Sequence, residues 1–138
     1  LVIAMPAIAP KPAALDTLPA SAAALRTFLR IADAWQLDPD ASATLLGVPR
    51  STLYRWKKDG PPAPLPRDTL ERLSLIFGIY KALQVLLPEP ERADAWLRRP
   101  NTAPLFSGSP ALDRLLSGMT SDLYVVRAYL DAQRGGWT

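Results

Sequence analysis

The chain has 138 residues, 49% of them apolar, and its 16 basic and 13 acidic residues leave a net charge of +3. It contains no histidine and no cysteine, which excludes disulfides, thiol nucleophiles, imidazole general bases and the usual zinc and copper ligand sets. No apolar run approaches the roughly 18 residues of a membrane-spanning helix, and the chain does not start like a secretory signal, so we expect a cytoplasmic protein without a cofactor.

The first twenty residues are rich in proline and alanine, and we expect a disordered or extended arm over residues 1–20. A simple tail without a function is the plainer interpretation of this arm. Ser21 is the expected N-cap of a first helix, whose apolar residues recur at helical spacing until the helix ends near Gln36.

Two short helices are predicted next, over residues 40–46 and 51–58, with a tight turn at Gly47 between them. Five apolar residues are spaced to fill a small core between these helices: Ala43, Leu46, Val48, Leu53 and Trp56. The residues left on the outer face of the second helix are Arg50, Ser51, Thr52, Tyr54, Arg55, Lys57 and Lys58.

A long helix is predicted over residues 68–87, with apolar residues around most of its axis. Because a chain this short struggles to cover such a helix, it is our candidate for self-association into a homodimer. The alternative is that the helices that follow wrap it. We predict these helices over residues 91–99, 110–116 and 121–134, and because no segment alternates with the period of a β-strand, we predict an all-α fold.

The two short helices have the pattern of a helix-turn-helix that reads DNA. Arginine at the N-terminus of a recognition helix can bond the O6 and N7 atoms of guanine, and short hydroxyls can reach base edges. We therefore assign base contacts to Arg50, Ser51, Thr52 and Arg55. Phosphate or sugar contacts are assigned to Tyr54, Lys57 and Lys58. The alternative is a solvated basic face on an ordinary helix pair.

The run LLGVPRSTLYRWK at residues 45–57 resembles the Xre-type helix-turn-helix. The later part of the chain resembles the Xre/MbcA/ParS toxin-binding domain, in the ordered motifs AWLRRPN (95–101), FSGSP (106–110), LLSG (115–118) and VRAYL (126–130). After the arm over residues 1–20, these two resemblances imply a helix-turn-helix DNA-binding region over residues 21–66 and a helical dimerisation and toxin-binding domain over residues 67–138.

Membership of this family would imply an antitoxin that neutralises a RES-domain toxin, a class that consumes NAD, and represses its own operon by binding operator DNA. The alternative is a plain helix-turn-helix regulator whose C-terminal domain only dimerises and which has no toxin partner. We do not expect an enzyme, because no pair of carboxylates stands out from capping and surface roles and no glycine-rich phosphate loop is present.

The resemblance also suggests that the C-terminal helix and tail approach the active site of the toxin. The candidate toxin contacts are Tyr129, Arg134, Gly135, Gly136 and Trp137. Tryptophan and arginine often anchor interfaces, although Trp137 could equally fold back on its own domain. We expect Trp96 and Leu97 of the first C-terminal motif to be core residues instead of toxin contacts.

Overall fold

The computed structural model describes residues 15–136. These residues form helices only, apart from an isolated β-bridge between Pro100 and Pro110, so the all-α prediction is confirmed. The helices are α1 (Leu18–Ala34), α2 (Pro39–Leu46), α3 (Arg50–Asp59), α4 (Arg67–Leu86), α5 (Pro90–Trp96), α6 (Ala111–Leu115) and α7 (Thr120–Gly136). None of them is long and apolar enough to cross a membrane.

The first helix begins earlier than the sequence predicts. Thr17 is its N-cap, since the Thr17 side chain accepts a hydrogen bond from the backbone N–H of Ala20 at 3.3 Å. Ser21 is fully buried, and its hydroxyl donates to the Leu15 carbonyl at 2.8 Å and accepts from the Leu65 N–H at 3.2 Å. The prediction of Ser21 as a cap is therefore wrong, as is that of disorder for residues 15–20. Residues 1–14 lie outside the described residues.

The helix-turn-helix consists of α2, a tight turn and α3. The Asp38 carboxylate caps α2 by accepting the Ala41 N–H at 2.7 Å, and Gly47 ends this helix in the left-handed conformation, with φ +74°. A residue with a side chain is strained at such a φ, which explains the glycine. Helix α3 starts directly after Pro49, one residue earlier than predicted, and packs mainly on α2.

The long helix α4 is the centre of the fold, because α1, α2, α5 and α7 all pack against it. Twelve of its twenty residues are buried, including the fully buried Leu73, Ile76 and Ile79. Among its large apolar side chains only Val85 is exposed. Other helices of the same chain therefore cover most of α4, although Val85 is exposed and Leu75 and Leu86 are half-buried, and self-association through α4 stays a prediction.

The C-terminal part folds around aromatic residues. Trp96 and Leu97 are buried as predicted, and Phe106 packs edge-to-face between Trp96 and Tyr129, with ring centroids 5.9 and 5.3 Å away. The element bounds differ from the predictions by a few residues: α5 ends at Trp96, α6 covers five residues, and α7 extends to Gly136. One core cluster contains buried residues of all seven helices, so the fold holds α3 and α7 in one compact framework.

Candidate DNA-binding surface and C-terminal helix

Helix α3 exposes nearly all of the predicted DNA contacts. Leu53 is buried and Trp56 is half-buried against the core, which turns the polar side of the helix outward. Six of the seven predicted contacts are exposed and Thr52 is half-buried: the exposed ones are Arg50, Ser51, Tyr54, Arg55, Lys57 and Lys58. Tyr54 is 65% exposed in the middle of this face.

The predicted base-reading residues are brought together on one side of α3. Arg50, Ser51, Tyr54 and Arg55 line a shallow concavity of about 570 Å³ on the outer face of the helix. The Arg55 guanidinium donates to the Thr52 hydroxyl at 3.3 Å, so these two predicted contacts also share one place on the helix. This arrangement presents two guanidinium groups and two hydroxyls within about one and a half turns of helix.

A weak ion pair holds Arg50 in the unbound protein. Its guanidinium lies 3.3 Å from the Asp40 carboxylate of α2, and the two side chains are 65% and 74% exposed. Exposed pairs of this kind contribute at most about 1 kcal/mol, because water screens them. Arg50 can therefore leave Asp40 for a base or a phosphate at little cost.

The positive charge of the protein is concentrated on α3. This helix contains four of the 16 basic residues and one of the 13 acidic residues, so the rest of the chain has equal numbers of both. Lys57 and Lys58 lie in the last turn, where positive charge also stabilises the helix dipole. Pro49 provides no side-chain cap, which leaves the first N–H groups of α3 available for a phosphate.

A second recess of about 370 Å³ lies between α3 and the first two helices. Lys57 and Arg50 of α3 line it together with Asp33 of α1 and the apolar side chains of Leu29 and Leu53. Lys57 thus lies at the edge of the basic face, beside α1.

Sequence reasoning missed Arg72, a charged residue of α4 that lies directly behind the turn of the helix-turn-helix. The Arg72 side chain is only 11% exposed, and a Cβ atom added to Gly47 would lie 2.5 to 2.8 Å from its Nε, Cζ and Cδ atoms. No local signal distinguishes Arg72 from a surface arginine, because the residues that bury it are distant in sequence.

The predicted toxin contacts lie toward the end of α7, with different surroundings. Tyr129 is half-buried against Phe106 and so has a structural role as well. Arg134 lies 4.0 Å from the Asp131 carboxylate on the surface of the helix, Gly135 is exposed, and Gly136 is the last helical residue. Trp137 lies outside the described residues.

Between residues 15 and 136 no group of carboxylates could hold a metal ion. Asp122 is committed to structure, since it pairs with Arg114 at 2.9 Å and accepts the Ser117 hydroxyl at 2.6 Å. Helix α3 has a net charge of +3, so the partner of its basic face is expected to be an anion.

Comparison with known proteins agrees with this reading of the surface. Residues 14–78 match the family described as "Antitoxin Xre-like helix-turn-helix domain", and residues 82–136 match the "Antitoxin Xre/MbcA/ParS C-terminal toxin-binding domain". The chain is also 55% identical, over 115 residues, to "Uncharacterized protein y4oB" of Sinorhizobium fredii, a match that covers 83% of this chain and 86% of that relative. The chain belongs to the Xre/MbcA/ParS antitoxins, with a DNA-binding helix-turn-helix joined through α4 to a toxin-binding domain.

Proposed function

We propose that this antitoxin represses its own operon by inserting α3 into the major groove of the operator, and that it neutralises a NAD-consuming RES-domain toxin. The observation that carries the DNA half of the proposal is the basic outer face of α3, whose net charge equals that of the whole chain. DNA binding is assigned to the part of the chain within residues 21–66 and toxin binding to residues 67–138.

The roles of the residues on α3 follow from their positions. Arg50, Ser51, Thr52 and Arg55 are the proposed base contacts, because they lie in the first two turns of the helix. The proposed phosphate contacts are Tyr54, Lys57 and Lys58. Phosphate contacts set the register on the duplex, whereas base contacts set the sequence preference.

Two variants separate these roles in a fluorescence-anisotropy titration against operator DNA and random DNA. Arg55→Ala is expected to weaken operator binding by about 1 to 3 kcal/mol and to leave random DNA nearly unaffected, because a guanine contact is lost. Lys57→Ala is expected to weaken both DNAs alike and to lower the salt dependence by about one unit. Arg92→Ala on α5 is the control. It also removes an arginine, but Arg92 pairs with Glu89 outside the helix-turn-helix, so DNA affinity should not change. Equal losses on both DNAs for Arg55→Ala would contradict the base contact.

The toxin half of the proposal rests on the toxin-binding domain and on the exposed end of α7. We propose Tyr129, Arg134, Gly135, Gly136 and Trp137 as toxin contacts. Leu130 is the last fully buried residue of α7, so deletion of residues 134–138 removes four of these contacts and leaves the core intact.

Co-expression with the product of the adjacent gene tests this half. The neighbour should be toxic alone, harmless and co-purified with the full chain, and toxic again with the chain that lacks residues 134–138. The full-length Arg92→Ala variant is the control and should still protect cells from the toxic neighbour. Protection by the truncated chain would refute the C-terminal contact. If no complex forms at all, the protein is a plain helix-turn-helix regulator, the alternative function.

We also propose a homodimer, because two copies of a ten-residue recognition helix can read two half-sites about one DNA turn apart. Sedimentation equilibrium of the free protein, followed by measurement of the protein-to-operator ratio, tests this proposal. One protein chain bound per operator would refute it.

A further inference from the structure

The turn between α2 and α3 is in contact with a buried guanidinium. Gly47 lies at the end of α2, three residues before the first residue of α3, and the Arg72 side chain fills the space where a Cβ of Gly47 would lie. Because this contact is made to the backbone of the turn, a movement of Arg72 changes the room available to the turn itself. The turn in turn sets the direction in which α3 leaves α2.

Two polar contacts hold Arg72 in this place, one on its own helix and one from a residue far along the chain. Its Nε donates to the Asp68 carboxylate at 2.9 Å, and its Nη2 donates to the Gly118 carbonyl at 2.9 Å. Gly118 lies between α6 and α7, and Thr120, the first residue of α7, donates to the second oxygen of Asp68 at 3.3 Å. The start of the toxin-binding domain's last helix and the DNA-reading turn therefore share one arginine–aspartate pair.

Helix α3 depends on this region for its orientation. It packs mainly on α2, while α2 packs on α4, the helix from which Arg72 projects. Leu53 is the only buried side chain of α3 and Trp56 is half-buried, so these two side chains and the connection through the turn hold the helix in place. The backbone path through the turn is thus a main determinant of where the base-reading residues lie.

We propose that Arg72 is a positioning residue for operator recognition: held by Asp68 and Gly118, it fixes the turn at Gly47 and thereby the pose of α3 on DNA. The inference rests on the proposed operator binding. It makes the C-terminal domain part of the DNA-reading apparatus, although none of its residues needs to touch DNA. A misplacement of α3 weakens base contacts, which need defined geometry, more than phosphate contacts, which tolerate displacement.

The test removes the carboxylate that holds Arg72. Asp68 is 57% exposed, and in the Asp68→Ala variant Arg72 keeps its bond to Gly118, so the protein should fold. Since a pair with a largely exposed carboxylate is worth at most about 1 kcal/mol, operator affinity is expected to fall about fivefold, with affinity for random DNA unchanged within about twofold. Glu71→Ala is the matched control: it removes the same charge from the same helix, but Glu71 pairs with the exposed Arg67.

A second variant, Arg72→Lys, keeps the charge but loses the planar fork that reaches both Asp68 and Gly118. It should reduce the ratio of operator to random affinity in the same direction as Asp68→Ala. Thermal unfolding and co-purification with the toxin are measured in parallel, since a purely structural role would lower stability without changing the ratio.

The outcomes separate this inference from the proposed function. If the wild-type protein itself does not prefer the operator over random DNA, the proposed function fails and the positioning role with it. If the wild type prefers the operator and Asp68→Ala has the same preference as Glu71→Ala, operator binding stands and the role of Arg72 is refuted.

Discussion

The contact between Gly47 and Arg72 can be measured as stability. In the Gly47→Ala variant two costs add: a left-handed φ of +74° for a residue with a side chain, and the displacement of Arg72 by the new methyl group. The first costs about 1 kcal/mol. The second breaks the bond from a buried guanidinium to the Gly118 carbonyl, about 2 kcal/mol. The pair with the largely exposed Asp68 adds little.

We therefore expect Gly47→Ala to lower the free energy of unfolding by about 3 kcal/mol in urea titrations followed by circular dichroism. Gly108→Ala is the matched control, because Gly108 has a φ of +88° but a Cβ there would have no atom within 4 Å. This control should lose only the backbone part, about 1 kcal/mol.

A double-mutant cycle assigns the difference to Arg72. In the Arg72→Ala background the atoms nearest to the methyl group at position 47 are removed, so Gly47→Ala should cost about 1 kcal/mol, as Gly108→Ala does. If Gly47→Ala and Gly108→Ala cost the same in the wild-type background, within about 0.5 kcal/mol, the contact has no energetic weight and the reasoning fails.

Three further predictions concern the rest of the fold. Arg98→Ala should lower the free energy of unfolding by about 1 to 2 kcal/mol, because the Arg98 guanidinium donates at 2.9 and 2.7 Å to two carbonyls at the end of α1. The same change at the neighbouring exposed Arg99 is the control and should be neutral, and equal effects of the two variants would contradict the prediction. Phe106→Ala should cost about 3 kcal/mol or more in the same assay, since it removes the middle ring of three; a loss below 1 kcal/mol, roughly that of a surface change, would be inconsistent with its burial. Burial, and then the Glu91 carboxylate, raise the pKa of Asp94 above its usual 3.8. The folded state therefore binds the Asp94 proton more tightly than the unfolded state, and the stability that the protonated Asp94 contributes is lost as the pH rises through the folded pKa. Asp94→Asn should therefore flatten that part of the pH profile of the urea midpoint, and an unchanged profile would refute the assignment.

Much of this protein follows from its sequence alone. The recurrence of apolar residues at helical spacing predicts every helix to within a few residues, since period and capping are local properties. The helix-turn-helix also follows from local sequence. Gly47 ends its first helix, and because Leu53 faces the core, the basic residues of α3 lie on the opposite, outer face. The outer face of α3 was predicted correctly for this reason.

Only the tertiary structure decides which surfaces remain free. The sequence predicts Ser21 as a helix cap, yet Ser21 is buried, and its hydroxyl bonds to backbone groups of Leu15 and Leu65. The sequence also leaves open whether α4 is covered, which depends on how helices distant in the chain pack around it. Arg72 is the clearest case: the carbonyl that helps to bury it belongs to Gly118, 46 residues away. A charged side chain becomes buried only when partners satisfy it, and such partners are brought together by the fold and not by local sequence.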